Sequence, residues 1–332
     1  MAMDQERAKH LHFDALVVDT HADTLGPVAR GQRRLGEHSA WGHVDLPRLR
    51  LGGVNVQFFA LYIEPDYKPD RGLLRGLQLA DVFYREMARY QQWVEPVFEF
   101  DAIESIVSRG KIAAVLSAEG GEIIQGDLGV LRMLYRLGVR CLGLTWNQRN
   151  ALADGVGELR TGGGLTRLGA AAVSEMNRLG MVVDVSHLNE AGFWDVLNLT
   201  KAPLLASHTN ARALCDHPRN LWDEQIISLA RGGGMVGITF APNFLRSERR
   251  AGLEDVLDHI DHVANLVGTQ SIGLGSDFDG IGMTPVGLED ATRLPDLTDG
   301  LVRRGYTDEQ IRGILGGNHM RLLETVWAGI SC

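Results

Sequence analysis

The 332-residue sequence lacks the features that would assign it to several large classes of protein. Its three cysteines, Cys141, Cys215 and Cys332, are too few and too scattered for a disulfide framework, so we expect a reducing compartment and a cytoplasmic location. No apolar run approaches the roughly 18 residues of a membrane span, and the N-terminus has no signal-peptide core. An excess of positive charge is also missing: the net charge is -9, which argues against a nucleic-acid partner.

What the sequence does contain is a regular alternation of short apolar runs with segments of helical spacing. The eight apolar runs, rich in Val, Ile, Leu and Phe, are 16–21, 54–63, 112–119, 141–147, 181–187, 203–208, 234–240 and 271–278. Such near-continuous apolar runs are typical of parallel strands that are covered on both faces. The segments with helical spacing between them include 72–94, 165–180 and 253–268.

Eight strands that alternate with helices predict an α/β fold of the TIM-type (β/α)8 barrel class. We expect a single domain over residues 1–332, with segment 307–327 forming one or two closing helices. The alternative is a doubly wound open sheet, which would need a glycine-rich fingerprint after the first strand. The first strand instead runs into "DTHADTL" (19–25).

Ionisable side chains follow five of the predicted strands at the point where each strand ends. They are His21 and Asp23, Glu119, His187, His208 and Asp277. Each has a plain structural explanation, because a strand-end His or Asp commonly caps a helix or bonds a neighbouring loop. Together they favour a site, because the carboxyl ends of all strands in a barrel meet at one face, where the active site lies.

Three histidines with carboxylates, and no cysteine cluster, are suited to zinc or a similar divalent ion. Five ligands are too many for one catalytic zinc, and they favour two ions bridged by one carboxylate. Such a pair can hold a water between the ions, lower its pKa towards ~7 and polarise a bound carbonyl. A further carboxylate, for which Asp277 is the candidate, can then transfer the proton.

The motifs "DTHAD", "SAEGG", "DVSH", "ASHTNAR", "HPRNL" and "GLGSDFDG" occur here in this order. The set resembles the membrane (renal) dipeptidase family of zinc peptidases, within the amidohydrolase-like barrels, and the similarity covers nearly the whole chain. The soluble bacterial members of that family lack the lipid anchor and the disulfides, as this chain does.

The resemblance implies two Zn²⁺ ions per chain and assigns a role to each site residue. His21 and Asp23 would bind one zinc, His187 and His208 the second, and Glu119 would bridge them. Asp277 would be the general acid/base. Arg219, in "HPRNL", would hold an oxygen of the substrate or of the tetrahedral intermediate, for which a permanently charged, forked guanidinium is well suited. A homodimer is expected from the family alone.

One position departs from the family pattern. Where characterised members carry a histidine in "LTH", this sequence reads "LTWNQRN", with Trp146 in its place. Loss of one oxyanion donor can cost on the order of 10²–10³ in rate. Either Asn147, Asn150 or the Trp146 indole N–H substitutes for the histidine, or the substrate is not an ordinary dipeptide; Trp146 could also be a packing wall of the substrate pocket.

The leading hypothesis is therefore a dinuclear-zinc hydrolase that cleaves the amide bond of small dipeptides and accepts a C-terminal D-residue. One alternative is an amidohydrolase that acts on a different small amide, which Trp146 keeps open. Another is a non-catalytic small-molecule binder on the same fold, against which the intact ligand set argues.

Overall fold

Short parallel strands and helices alternate along the computed structural model, which describes residues 2–328. The nine strands of this part of the chain are β1 (Val17–Asp19), β2 (Val54–Tyr62), β3 (Val94–Pro96), β4 (Ile112–Glu119), β5 (Val139–Gly143), β6 (Val182–Asp184), β7 (Leu205–Thr209), β8 (Met235–Ile238) and β9 (Ile272–Leu274). Each of the eight predicted runs overlaps a strand, although β5 begins two residues before its run and β7 ends one residue after its run. Cys332 lies outside the described residues.

The α-helices of the described part surround the strands. They are α1 (Ala2–Asp14), α2 (Leu25–Ala29), α3 (Leu46–Leu51), α4 (Gly72–Arg89), α5 (Ala102–Ser108), α6 (Leu128–Leu137), α7 (Arg167–Leu179), α8 (Glu190–Leu199), α9 (Asp223–Arg231), α10 (Pro242–Leu245), α11 (Leu253–Val267), α12 (Leu294–Arg303), α13 (Asp308–Arg312) and α14 (Asn318–Trp327). The predicted closing segment forms α13 and α14, joined by a π-helix over Gly313–Gly317. Between residues 2 and 328, no helix combines the length and the apolar character that a bilayer crossing needs.

Eight of the strands close into a parallel barrel in the order β1, β2, β4, β5, β6, β7, β8, β9. Closure is completed by the pairing of β1 with β9, where Asp19 is in register with Leu274. The fold is therefore the predicted TIM-type (β/α)8 barrel.

Two details differ from the prediction. Segment 72–94 is not helical to its end, since α4 stops at Arg89 and the strand β3 begins at Val94. The strand β3, which is additional to the eight predicted strands, pairs with the first half of β4, whereas β5 pairs with the second half of β4. Pro96 is tolerated in β3 because a strand at an edge can do without one backbone donor.

The interior of the barrel is filled by side chains that alternate with those facing the outer helices. Val56, Val182 and Met235, near the start of their strands, share a buried cluster with Leu322 and Leu323 of α14. The last helix thus packs against the barrel interior, away from the carboxyl ends of the strands. His319, also in α14, is fully buried, and its imidazole lies against Gly273 of β9.

We predict that Gly273→Ala lowers the free energy of unfolding by about 1–3 kcal/mol, because the added methyl group would overlap the His319 ring. Denaturant unfolding monitored by circular dichroism would measure the change. Gly282→Ala is the matched control, since its added methyl group has no heavy atom within 4 Å in the described chain. Equal stability of the two variants would contradict this packing.

Candidate active site

The carboxyl ends of the strands surround a cavity of about 390 Å³. Its walls combine carboxylates, a histidine and two arginines with aromatic and aliphatic groups. The lining residues are Asp23, Gly26, Pro27, Arg30, Tyr62, Glu64, Glu119, Trp146, Asn147, His187, Arg219, Phe244, Asp277, Asp279, Gly280 and Ile281.

Glu119, the last residue of β4, lies between the three histidines at the base of this cavity. Its Oε1 is 2.9 Å from His187 Nε2 and 3.8 Å from His208 Nε2. Its Oε2 is 3.3 Å from His21 Nε2, which is in turn 3.5 Å from Asp23 Oδ2. One carboxylate therefore directs one oxygen to the His187–His208 pair and the other to the His21–Asp23 pair.

The donor atoms are close enough together to hold metal ions. Three overlapping groups, His21–Asp23–Glu119, Glu119–His187–His208 and His21–His208–Asp277, each have ligand atoms within 4.8 Å of one another. Within the described chain, His21 Nε2, Asp23 Oδ1 and Glu119 Oε2 are buried and make no hydrogen bond. Buried polar atoms are nearly always satisfied, so this set fits divalent cations.

Burial and neighbouring charges both shift the pKa values of the histidines of the site. Desolvation would lower the pKa of His21, but the negative charges of Glu119 and Asp23 outweigh it and raise that pKa well above its usual value. Desolvation and the positive charge of Arg219 lower the pKa of His187 to about 3. Desolvation, with the charge of His21, also holds the pKa of His208 well below its usual value. His187 and His208 are thus neutral, the state in which imidazole binds metal.

Asp277, three residues after β9, faces the same cavity. Desolvation of its carboxyl group raises its pKa to about 8; the charges of Asp23 and Glu119 add to this effect, while that of His21 opposes it. Both Asp277 (φ 63°) and His187 (φ 66°) adopt the left-handed backbone conformation, which is uncommon for residues other than glycine. Such conformations concentrate at functional sites.

In both His208 and His187, the ring nitrogen Nδ1 has a hydrogen-bond partner. Ser207 Oγ donates to Asp184 Oδ2 (2.5 Å), and the same oxygen lies 2.8 Å from His208 Nδ1. Since that hydroxyl proton is used, the serine oxygen accepts the His208 Nδ1 proton. Asn147 Oδ1 lies 2.8 Å from His187 Nδ1 and can only accept. With Nδ1 protonated in both rings, their Nε2 atoms, 2.9 Å apart and beside Glu119, each carry a lone pair, as a metal ligand requires.

Asp19 of β1, like Asp184 of β6, accepts hydrogen bonds from a serine near the end of a neighbouring strand. Asp19 Oδ1 accepts from the backbone N–H of Ser276 (2.8 Å), and Oδ2 accepts from Ser276 Oγ (2.6 Å). Asp277 N then donates to the carbonyl of His21 (3.2 Å). These bonds tie the end of β1 to the end of β9, so the position of Asp277 depends on that of His21.

Of the residues predicted on the substrate side, three line the cavity and one does not. Arg219, Trp146 and Asn147 do so. Arg219 Nη2 donates to the carbonyl of His208 (3.0 Å), while its buried Nε makes no hydrogen bond within the described chain. Asn150 lies outside this cavity: its amide donates to the carbonyl of Leu144 and accepts from the N–H groups of Leu152 and Ala153, so it braces its own loop.

Several cavity residues did not figure in the prediction. Tyr62 is the last residue of β2, so the rule that found the acidic and basic strand ends would have found it had it included tyrosine. Phe244 lies in the short helix α10 after β8, and Ile281 lies in the loop after β9; no sequence pattern points from either to the cavity. Asp184 and Ser207 orient His208 and are marked only by standing in "DVSH" and "ASH".

The chain is similar to known proteins over most of its length. The family model described as "Membrane dipeptidase (Peptidase family M19)" matches residues 5–328. An uncharacterized dipeptidase of Schizosaccharomyces pombe is 38% identical over 342 aligned residues, covering 96% of this chain and 82% of the relative. A dipeptidase of Aspergillus oryzae is 38% identical, over 86% of this chain and 70% of the relative.

A solved structure is also similar across its whole length. The crystal structure of a metallo peptidase from Rhodobacter sphaeroides, liganded with a phosphinate mimic of the dipeptide L-Ala-D-Ala, superposes with a TM-score of 0.88. It is 32% identical and covers 94% of this chain and 99% of that one. The chain therefore belongs to the membrane dipeptidase family, peptidase family M19, and is a metal-dependent dipeptidase.

Proposed function

We propose that this protein is a dinuclear-zinc dipeptidase whose ligands are His21, Asp23, Glu119, His187 and His208. The observation that carries the proposal is the division of the Glu119 carboxylate, one oxygen towards His21 and Asp23 and the other towards His187 and His208. When bound, the two ions supply an activated water and polarise the carbonyl of the scissile amide. We take the whole chain, 1–332, as one hydrolase domain; a cytoplasmic location and a homodimer stay predictions.

Two residues of the chain would carry out the remaining steps. Asp277, whose pKa of about 8 lies near neutrality, is suited to take a proton from the attacking water and deliver it to the departing amine. Arg219 lines the cavity, and its Nε makes no hydrogen bond with any residue that the structure describes, so it is suited to hold an oxygen of the substrate. Its positive charge also stabilises the negative charge that develops on that oxygen.

The substrate proposed is a small dipeptide, including one with a D-residue at its C-terminal side. Support comes from the phosphinate mimic of L-Ala-D-Ala bound to the Rhodobacter sphaeroides relative. Trp146 at the wall of the cavity keeps a second candidate open, the hydrolysis of a different small amide.

We predict that protein purified without chelator contains about two divalent ions per chain, measured by elemental analysis. His187→Ala should lose about one of them, and His38→Ala, which removes an exposed histidine, should lose none. Wild-type protein that holds no divalent ion and stays inactive when zinc is added would refute the proposal.

We predict that Asp277→Asn lowers kcat by roughly 10²–10⁴, because the amide cannot transfer a proton. Metal content should be unchanged, since the proposed ligands remain. Steady-state kinetics on L-Ala-D-Ala and L-Ala-L-Ala, with Asp81→Asn on the surface as the control, would measure the effect. A kcat equal to that of wild type would remove Asp277 from its role.

We predict that Ser207→Ala weakens metal binding by about 10–100-fold, because it removes the partner that holds the His208 ring. Competition with a calibrated chelator would measure the affinity. Ser174→Ala removes an exposed helical serine and is the control. Equal affinities would show that His208 is held without the serine.

A further inference from the structure

The indole of Trp146 contacts Tyr62 and Lys68 at the wall of the cavity, and its ring centroid lies 6.0 Å from that of His187. Tyr62 meets it edge-on, with ring centroids 5.5 Å apart. Lys68 Nζ lies over the indole at 5.0 Å from the ring centroid, within the range of a cation–π interaction. The position of the indole therefore depends on that of the lysine.

Lys68 is itself anchored by a buried carboxylate. Its Nζ is 3.2 Å from Glu122 Oε1, and the two side chains are 9% and 3% exposed. Lys68 Nζ also donates to Gln148 Oε1 at 3.3 Å. Neither Glu122 oxygen makes a hydrogen bond within the described chain, so Lys68 is the group that compensates this buried charge. A lysine so bound cannot move without leaving a buried carboxylate unpaired, which is costly.

Lys68 also separates the active-site cavity from a second one. Lys68, Glu122, Gln148 and Asn150 are among the residues that line a neighbouring cavity of about 730 Å³. Trp146 lines the first cavity and Lys68 the second, with the cation–π contact between them. The lysine side chain therefore lies between the indole and the second cavity.

We propose that Lys68, anchored by Glu122, is a positioning residue that fixes Trp146 as a wall of the substrate cavity and so gives the enzyme a preference for dipeptides with a bulky apolar side chain. The preference is expected because three other aromatic or aliphatic side chains, Tyr62, Phe244 and Ile281, line the same cavity as the indole. A large apolar side chain buries more surface against such a wall than a methyl group does. This inference rests on the proposed dipeptidase function.

The test compares Lys68→Met with wild type on Ala-Ala, Phe-Ala and Ala-Phe. We expect wild type to prefer one of the two phenylalanine dipeptides, and the variant to lose about tenfold in kcat/KM on that substrate, mainly through a higher KM. Its activity on Ala-Ala and its metal content should change less than twofold. Lys68→Arg, which keeps a cation over the ring, should restore the preference. Lys9→Met, in an exposed turn of α1, is the control.

Glu122→Gln is a second, independent variant, because it removes the anchor and leaves the lysine; it should change selectivity in the same direction. Tryptophan emission of Lys68→Met, compared with that of Trp146→Phe, reports the movement of the indole without any substrate. Unchanged selectivity in both variants, with unchanged emission, would overturn the inference and leave the dipeptidase function standing. Wild type that cleaves no dipeptide would refute the function, and the emission measurement would still decide whether Lys68 holds the indole.

Discussion

The site is organised around one negative charge enclosed by three imidazoles. Desolvation alone would raise the pKa of Glu119, yet the positive charge of His21 holds it well below its usual value. The carboxylate therefore stays ionised although it is buried. The same charge keeps His21 attracted to the centre, and it presents an oxygen to each of the two histidine-containing groups.

Two buried aspartates keep the strand ends around Glu119 in place. Asp184 accepts from the backbone N–H groups of Ser186 and Ser207, and Asp19 accepts from that of Ser276. In each case the serine bound on the neighbouring strand stands directly before a proposed site residue, His208 or Asp277. Side-chain bonds to backbone thus replace ladder pairing where the strands end, and they align neighbouring strands at the point where alignment matters for chemistry.

Much of this architecture could be predicted because its physical signals are local. Apolar runs of strand length and helical spacing indicated the barrel, and the rule that strand ends converge indicated His21, Asp23, Glu119, His187, His208 and Asp277. The strand β3 was not recognised, since three residues containing Pro96 carry too weak a pattern next to a strong helix. Asn150 was expected at the substrate, but only the path of its loop decides that its amide is used on Leu144, Leu152 and Ala153. The link from Glu122 through Lys68 to Trp146 joins distant segments, and no sequence spacing encodes it.

The left-handed backbone at His187 has a consequence for directed evolution of this enzyme. A residue other than glycine in that conformation costs roughly 1–3 kcal/mol of folding free energy, whereas glycine adopts it freely. Glycine at position 187 would relieve this strain, but it would also remove an imidazole beside Glu119. At this residue, backbone stability and catalytic activity favour different amino acids. A thermostable variant must therefore be sought with activity as a simultaneous criterion.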